Sequence, residues 1–115
     1  MPTSDWQPGT VVVVHFLYPD RLAEKRRPAV VVSGAAVTAA GYVWIAMITS
    51  ARNARSAGDV QIEDFQSAGL GVASVVRPLK IACIEPTRIL RRIGSLPNET
   101  AAQVYATIRS QIGPA

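Results

Sequence analysis

Three short runs of β-branched and aromatic residues constrain this chain more than any other feature: GTVVVVHF at 9–16, AVVVS at 29–33 and YVWIAMIT at 42–49. Such side chains fit a pleated surface, and runs of roughly four to eight residues are strand-length and too short for core helices. Each run is fenced by Gly or Pro. Pro8-Gly9 opens the first, Pro28 opens the second where its missing N–H is tolerated, and small residues between Gly34 and Gly41 lead to the third. Residues 17–27, with Pro19-Asp20 and alternating charge, read as a long exposed loop. Further on, 59–62 (DVQI) alternates as an edge strand does, 68–71 (AGLG) is a turn, and 72–77 and 79–84 read as two more strands separated by Pro78.

Helical signals gather at the end. Pro86 and Gly94 bracket a short helix predicted around 88–92. After Asn98, a fair N-cap, residues Ala101, Val104, Tyr105, Ile108 and Ile112 recur at helical spacing until Gly113-Pro114. The expected fold is mainly β (α+β): a small, strongly bent sheet or barrel with a short helix and a C-terminal amphipathic helix. A chain of 115 residues fits one domain, 1–115.

Composition removes several classes of function. With 49% hydrophobic and 17% charged residues the chain is globular rather than disordered. Its strictly apolar stretches, such as 11–14 and 29–32, fall far short of the roughly 20 residues that span a bilayer. The polar residues 1–7 lack the features of a secretory signal, so a cytoplasmic location is expected. Cys83 is the only cysteine, which excludes an internal disulfide and a cysteine-based zinc cluster within the chain; it alternates with Ile81 and is expected to be a buried small hydrophobe. His15 is the only histidine, placed in an apolar strand as a core or interface residue. The carboxylates are scattered, Asp59, Glu63 and Asp64 being the nearest to a cluster, which favours chemistry with no metal or other cofactor.

Twelve basic residues against eight acidic ones give a net charge of +4, and ten of the twelve are arginine, whose planar fork suits phosphate oxygens. They cluster at Arg21 to Arg27, at Arg52 and Arg55, at Arg77 and Lys80, and at Arg88, Arg91 and Arg92. That distribution permits a nucleic-acid partner, and a solubilising surface is the alternative it leaves open.

The order of segments resembles the MazF/PemK toxins across nearly the whole chain, from Trp6 to Gly113. The pieces are GTVVVVHF, then KRRPAVVVS at 25–33, AMITSA at 46–51, DVQI, AGL at 68–70 and SVVRPLKIACIEPTRILRRIGSL at 74–96. The resemblance implies an SH3-like barrel of the CcdB/MazF kind, a homodimer, an endoribonuclease acting on single-stranded RNA, and a cognate antitoxin protein as partner. It also implies the active site: the arginine before the proline of the second strand, Arg27, and the threonine ending the third, Thr49.

Those residue types suit the implied reaction. When a ribose hydroxyl attacks the adjacent phosphorus, charge builds on the non-bridging oxygens, and a pre-placed guanidinium and a hydroxyl donor stabilise it. Arg27 can also protonate the leaving oxygen, but its high pKa makes it a poor base. Lys25, Arg26, Ser50, Arg52, Arg77, Lys80 and Tyr18 are candidate RNA contacts, Tyr18 by base stacking. Trp6, Phe16 and Trp44 could also stack, with core packing favoured for Phe16 and Trp44. Several candidates carry a plain alternative: Arg27 as a solvated loop arginine, Thr49 as a strand-end β-former, Ser50 as a turn residue, Arg52 as a solvated charge, and the 88–92 arginines as a solvated face or a seat for an acidic antitoxin tail.

The chain departs from the family pattern at Thr10, where many relatives carry an acidic residue, and at Arg21-Leu22-Ala23-Glu24, where they carry Gly-Glu-Gln. Lys80 stands where glutamine is common. A competing function is a non-catalytic barrel of the same shape that binds RNA or a protein target such as gyrase. The gyrase-poisoning relatives use an aromatic C-terminal tail, and this chain ends Ile112-Gly113-Pro114-Ala115.

Overall fold

The computed structural model describes residues 6–17, 24–53 and 55–114. Six strands form one antiparallel sheet: β1 (Thr10–Leu17), β2 (Glu24–Val31), β3 (Val43–Ser50), β4 (Val60–Gln61), β5 (Ser74–Ile84) and β6 (Ile89–Ser95), in the order β4-β5-β3-β2-β1-β6. A short helix α1 (Ala35–Ala39) joins β2 to β3, and α2 (Asn98–Ser110) follows β6. The mainly β, α+β architecture is the one expected.

Strand alternation sends side chains into two apolar clusters, one on each face. Val11, Val30, Ala46, Ile48 and Val76 point to one face, where Ala101 and Val104 of α2 cover them. Val12, Val14, Ala29, Val31, Val43, Ile45 and Met47 point to the other, joined by Ile89 and the partly buried Trp6. The three founding runs are therefore buried on both sides, which is why they read as continuous apolar stretches.

Several local expectations change. Strand covers both ends of the segment read as a loop at 17–27, since β1 runs to Leu17 and β2 begins at Glu24. The segment expected to be a helix at 88–92 is strand β6, preceded by a 3₁₀ turn over Pro86–Arg88. Its pairing with β1, Val12 opposite Arg92 and Val13 opposite Arg91, outweighs the local helix signal. Gly94, taken for a helix stop, has a different task. A Cβ there would sit 2.5 Å from the Ala68 carbonyl carbon, so the glycine admits the 67–70 turn against β6. The Gly34–Gly41 connection contains α1 rather than a plain loop.

The two strands expected around Pro78 are one, β5, with a bulge. Ala46 pairs with Ile81 while its neighbour Met47 pairs with Arg77, so Pro78, Leu79 and Lys80 are extra residues facing no partner of their own. Proline cannot donate to the ladder, and a bulge at its position both accommodates it and bends the strand.

Cys83 and Trp44, opposite one another in the β3–β5 ladder, face outward: Cys83 is exposed and Trp44 is 43% exposed, not in the core as expected. Ala82 and Ile84, one position out of phase, take the inward places. His15 is half-buried, as a core-edge histidine would be. Among the described residues no helix is long and apolar enough to cross a membrane.

Candidate active site

Arg27 and Thr49 reach the same place because of strand periodicity. On β2, Arg27 shares a face with Ala29 and Val31; on β3, Thr49 shares a face with Val43, Ile45 and Met47. The β2–β3 ladder ends with Ala29 opposite Met47, and Arg27 and Thr49 lie two residues beyond that pair on their own strands. On the far side of β3, Met47 faces Arg77 of β5. Three adjacent strands thus bring their side chains to one rim.

A cavity of about 120 Å³ opens at that rim, lined by Arg27, Met47, Thr49, Asn53, Arg77 and Lys80 among others. Lys80 belongs to the bulge after Arg77, which turns it toward the cavity although β5 would otherwise have carried it onward. The pocket is cationic, and its one hydroxyl is that of Thr49.

Arg77 is tied down: its Nε lies 3.4 Å from Asp59 Oδ1, and the two side chains are only 23% and 10% exposed. Asp59 Oδ2 in turn accepts the Ser56 backbone N–H at 3.0 Å, fixing the carboxylate. The acidic group closest to the pocket therefore serves to orient an arginine. Asp64 holds a different turn, where its carboxylate accepts the Ser67 hydroxyl and backbone N–H; these hydrogen bonds lower its pKa below the usual aspartate value. Among the described residues no three His, Cys, Asp or Glu side chains converge as metal ligands would.

The remaining expected contacts do not join the pocket. Arg26 is exposed and alternates to the face opposite Arg27. Ser50 Oγ accepts the Arg52 backbone N–H at 3.2 Å, so Ser50 shapes the turn, and Arg52 is an exposed turn residue. Tyr18 and the side chain of Lys25 lie outside the described residues. The arginines at 88, 91 and 92 are exposed around β6, at an edge of the sheet distinct from this rim.

Sequence reasoning missed Asn53. Its side-chain amide donates to Thr49 Oγ1, from the turn in which the Asn53 N–H bonds the Ser50 carbonyl at 3.0 Å. The available signal was position: an asparagine four residues beyond a candidate active-site threonine, in a turn.

Two larger grooves, of about 580 and 670 Å³, flank the two ends of α2. The second is apolar, lined by Trp44, Ile81, Cys83, Ile108 and Ile112. Each holds a single cation, Arg92 beside the Ser95 hydroxyl in the first and Arg109 in the second, where the rim pocket holds three.

The small bent sheet thus gathers guanidinium, ammonium and hydroxyl donors in one rim pocket, groups whose chemistry suits an oxyanion. Residues 7–112 match the family described as PemK-like, MazF-like toxin of type II toxin-antitoxin systems, and the chain belongs to that family. No curated protein is similar enough to count as a relative. Among solved structures it is similar to MazF of Deinococcus radiodurans at 25% identity and TM-score 0.73, over 94% of this chain and 96% of that one. It is similar to the MazE-MazF structure of the same organism at 24% identity and TM-score 0.74, over 95% and 97%. A mycobacterial endoribonuclease in complex with its cognate antitoxin shares the fold at 15% identity and TM-score 0.70, over 95% and 94%.

Proposed function

We propose that the chain is a metal-independent endoribonuclease toxin that cleaves single-stranded RNA in the cytoplasm, as a single-domain homodimer restrained by a cognate antitoxin. The observation that carries this is the meeting of Arg27 and Thr49 in one pocket with Arg77 and Lys80, in a chain of this family. The ribose hydroxyl attacks the adjacent phosphorus, its proton passing to solvent water, and the bond to the leaving oxygen breaks as that oxygen takes a proton from the Arg27 guanidinium, which solvent then restores. Arg27 and Thr49 donate hydrogen bonds to the non-bridging oxygens as their charge grows, and Arg27 is placed to protonate the leaving oxygen. Lys80 and Arg77 hold the phosphate, Arg77 at reduced effective charge because Asp59 neutralises it.

One observation bearing on the dimer is where apolar side chains remain exposed. Ala29, Val30 and Val31, in the most apolar part of β2, are wholly buried within their own chain. An apolar groove among the described residues bears Trp44, Ile81 and Ile112, which are 43%, 43% and 68% exposed, and is available for a second copy to cover.

The test is incubation of the purified protein with mixed-sequence single-stranded RNA, with and without EDTA, and light scattering of the same preparation. Equal cleavage in both arms, giving fragments that end in a cyclic phosphate, with a dimer mass, is expected. Intact RNA, or cleavage abolished by chelation, refutes the chemistry.

A further inference from the structure

We infer that Asn53 is a positioning residue that makes the Thr49 hydroxyl an obligate hydrogen-bond donor to the RNA phosphate. The inference rests on the proposed role of Thr49. A threonine hydroxyl can donate once and accept twice, and its hydrogen rotates to whatever acceptor is near. The Asn53 Nδ2–H group donates into Thr49 Oγ1, so one lone pair is occupied and the hydroxyl hydrogen must point elsewhere.

Within the pocket it finds no acceptor among the charged side chains. Arg27, Arg77 and Lys80 carry only donors. No hydrogen bond donated by Thr49 Oγ1 is present among the described residues. The hydroxyl is thus polarised by the Asn53 amide and left with an unspent hydrogen on the side where a non-bridging phosphate oxygen would sit. A network in which each donor reinforces the next strengthens as the site is closed by RNA. Asn53 sits on an exposed turn, so this is preorganisation of chemistry and not a fold contact.

Removing Asn53 leaves the Thr49 hydroxyl in place but free to rotate. The expected loss is therefore smaller than the roughly 10²–10³ for deleting a donor outright: about tenfold in kcat, with KM little changed. The test is a double-mutant cycle of Asn53→Ala and Thr49→Val, read by single-turnover cleavage and thermal melting, with the Asn53 side-chain amide followed by NMR. Asn53→Ala should slow the wild-type background about tenfold, leave the Thr49→Val background unchanged, and keep Tm constant. In the free protein, Thr49→Val should shift the Asn53 amide resonances.

Additive effects in the two backgrounds, wild-type kcat in Asn53→Ala, or amide resonances that ignore Thr49→Val each overturn the inference. If Thr49→Val itself cleaves at the wild-type rate, the role proposed for Thr49 fails instead.

Discussion

Replacing Asp59 by asparagine should move stability and RNA affinity in opposite directions. In the native pair Arg77 Nε and Asp59 Oδ1 are 3.4 Å apart, with the side chains 23% and 10% exposed. At that separation and an effective dielectric near 20, the attraction is about 5 kcal/mol. Part of it offsets the desolvation of the two ions, so removing the carboxylate should cost about 1–3 kcal/mol of folding free energy. For a domain of this size that lowers Tm by roughly 4–12 °C. The pocket, meanwhile, loses the negative charge that Asp59 sets beside Arg77. Binding of a single-stranded RNA analogue lacking the attacking hydroxyl should tighten, and the slope of log K against log salt should steepen by about 0.7 for one more neutralised phosphate. Melting curves and fluorescence anisotropy across a salt series read both effects. An unchanged Tm would show that the ion pair does not hold Arg77, and weaker RNA binding would show that Asp59 does not screen the pocket.

Other outcomes follow from packing and titration. Gly94→Ala should destabilise by about 1–3 kcal/mol, because its Cβ would meet the Ala68 backbone, whereas Gly71→Ala, with nothing within 4 Å, should stay within about 0.5 kcal/mol; chemical denaturation compares them. Burial raises the Tyr105 pKa above its ordinary value, against a smaller lowering by Arg109. A raised folded pKa means that the contribution is intact below the unfolded value, about 10, and is lost as pH climbs through the folded one. Stability should therefore fall as pH rises through that range, and Tyr105→Phe should flatten the fall.

What could be seen in the sequence was what period-two alternation controls. Thr49 lies two residues after Met47 and so shares its face; Arg27, read as the end of the 17–27 loop, shares the face of Ala29 only because β2 begins as early as Glu24. Resemblance then supplied the strands' adjacency. Features that depend on contacts distant in sequence were hidden. The bulge that delivers Lys80 exists because β5 must realign around Pro78 against β3. The pattern Pro86 to Gly94 is common to a short helix and to an edge strand, and only the partner strand β1 decides between them. Cys83 and Trp44 turned outward because the phase of β5 was set by Ala82 and Ile84. Asp59, Glu63 and Asp64 looked like a loose acidic group, but Asp59 and Asp64 are separately engaged, one on Arg77 and one on Ser67.

The most direct measurement is single-turnover cleavage of one defined single-stranded RNA by wild-type protein and by Arg27→Ala, each checked for the same Tm. Loss of the guanidinium should lower the rate by at least about 10²–10³, with the fold unchanged. An Arg27→Ala protein that melts like the wild type and cleaves at its rate would contradict the assignment of the pocket as the site of RNA cleavage.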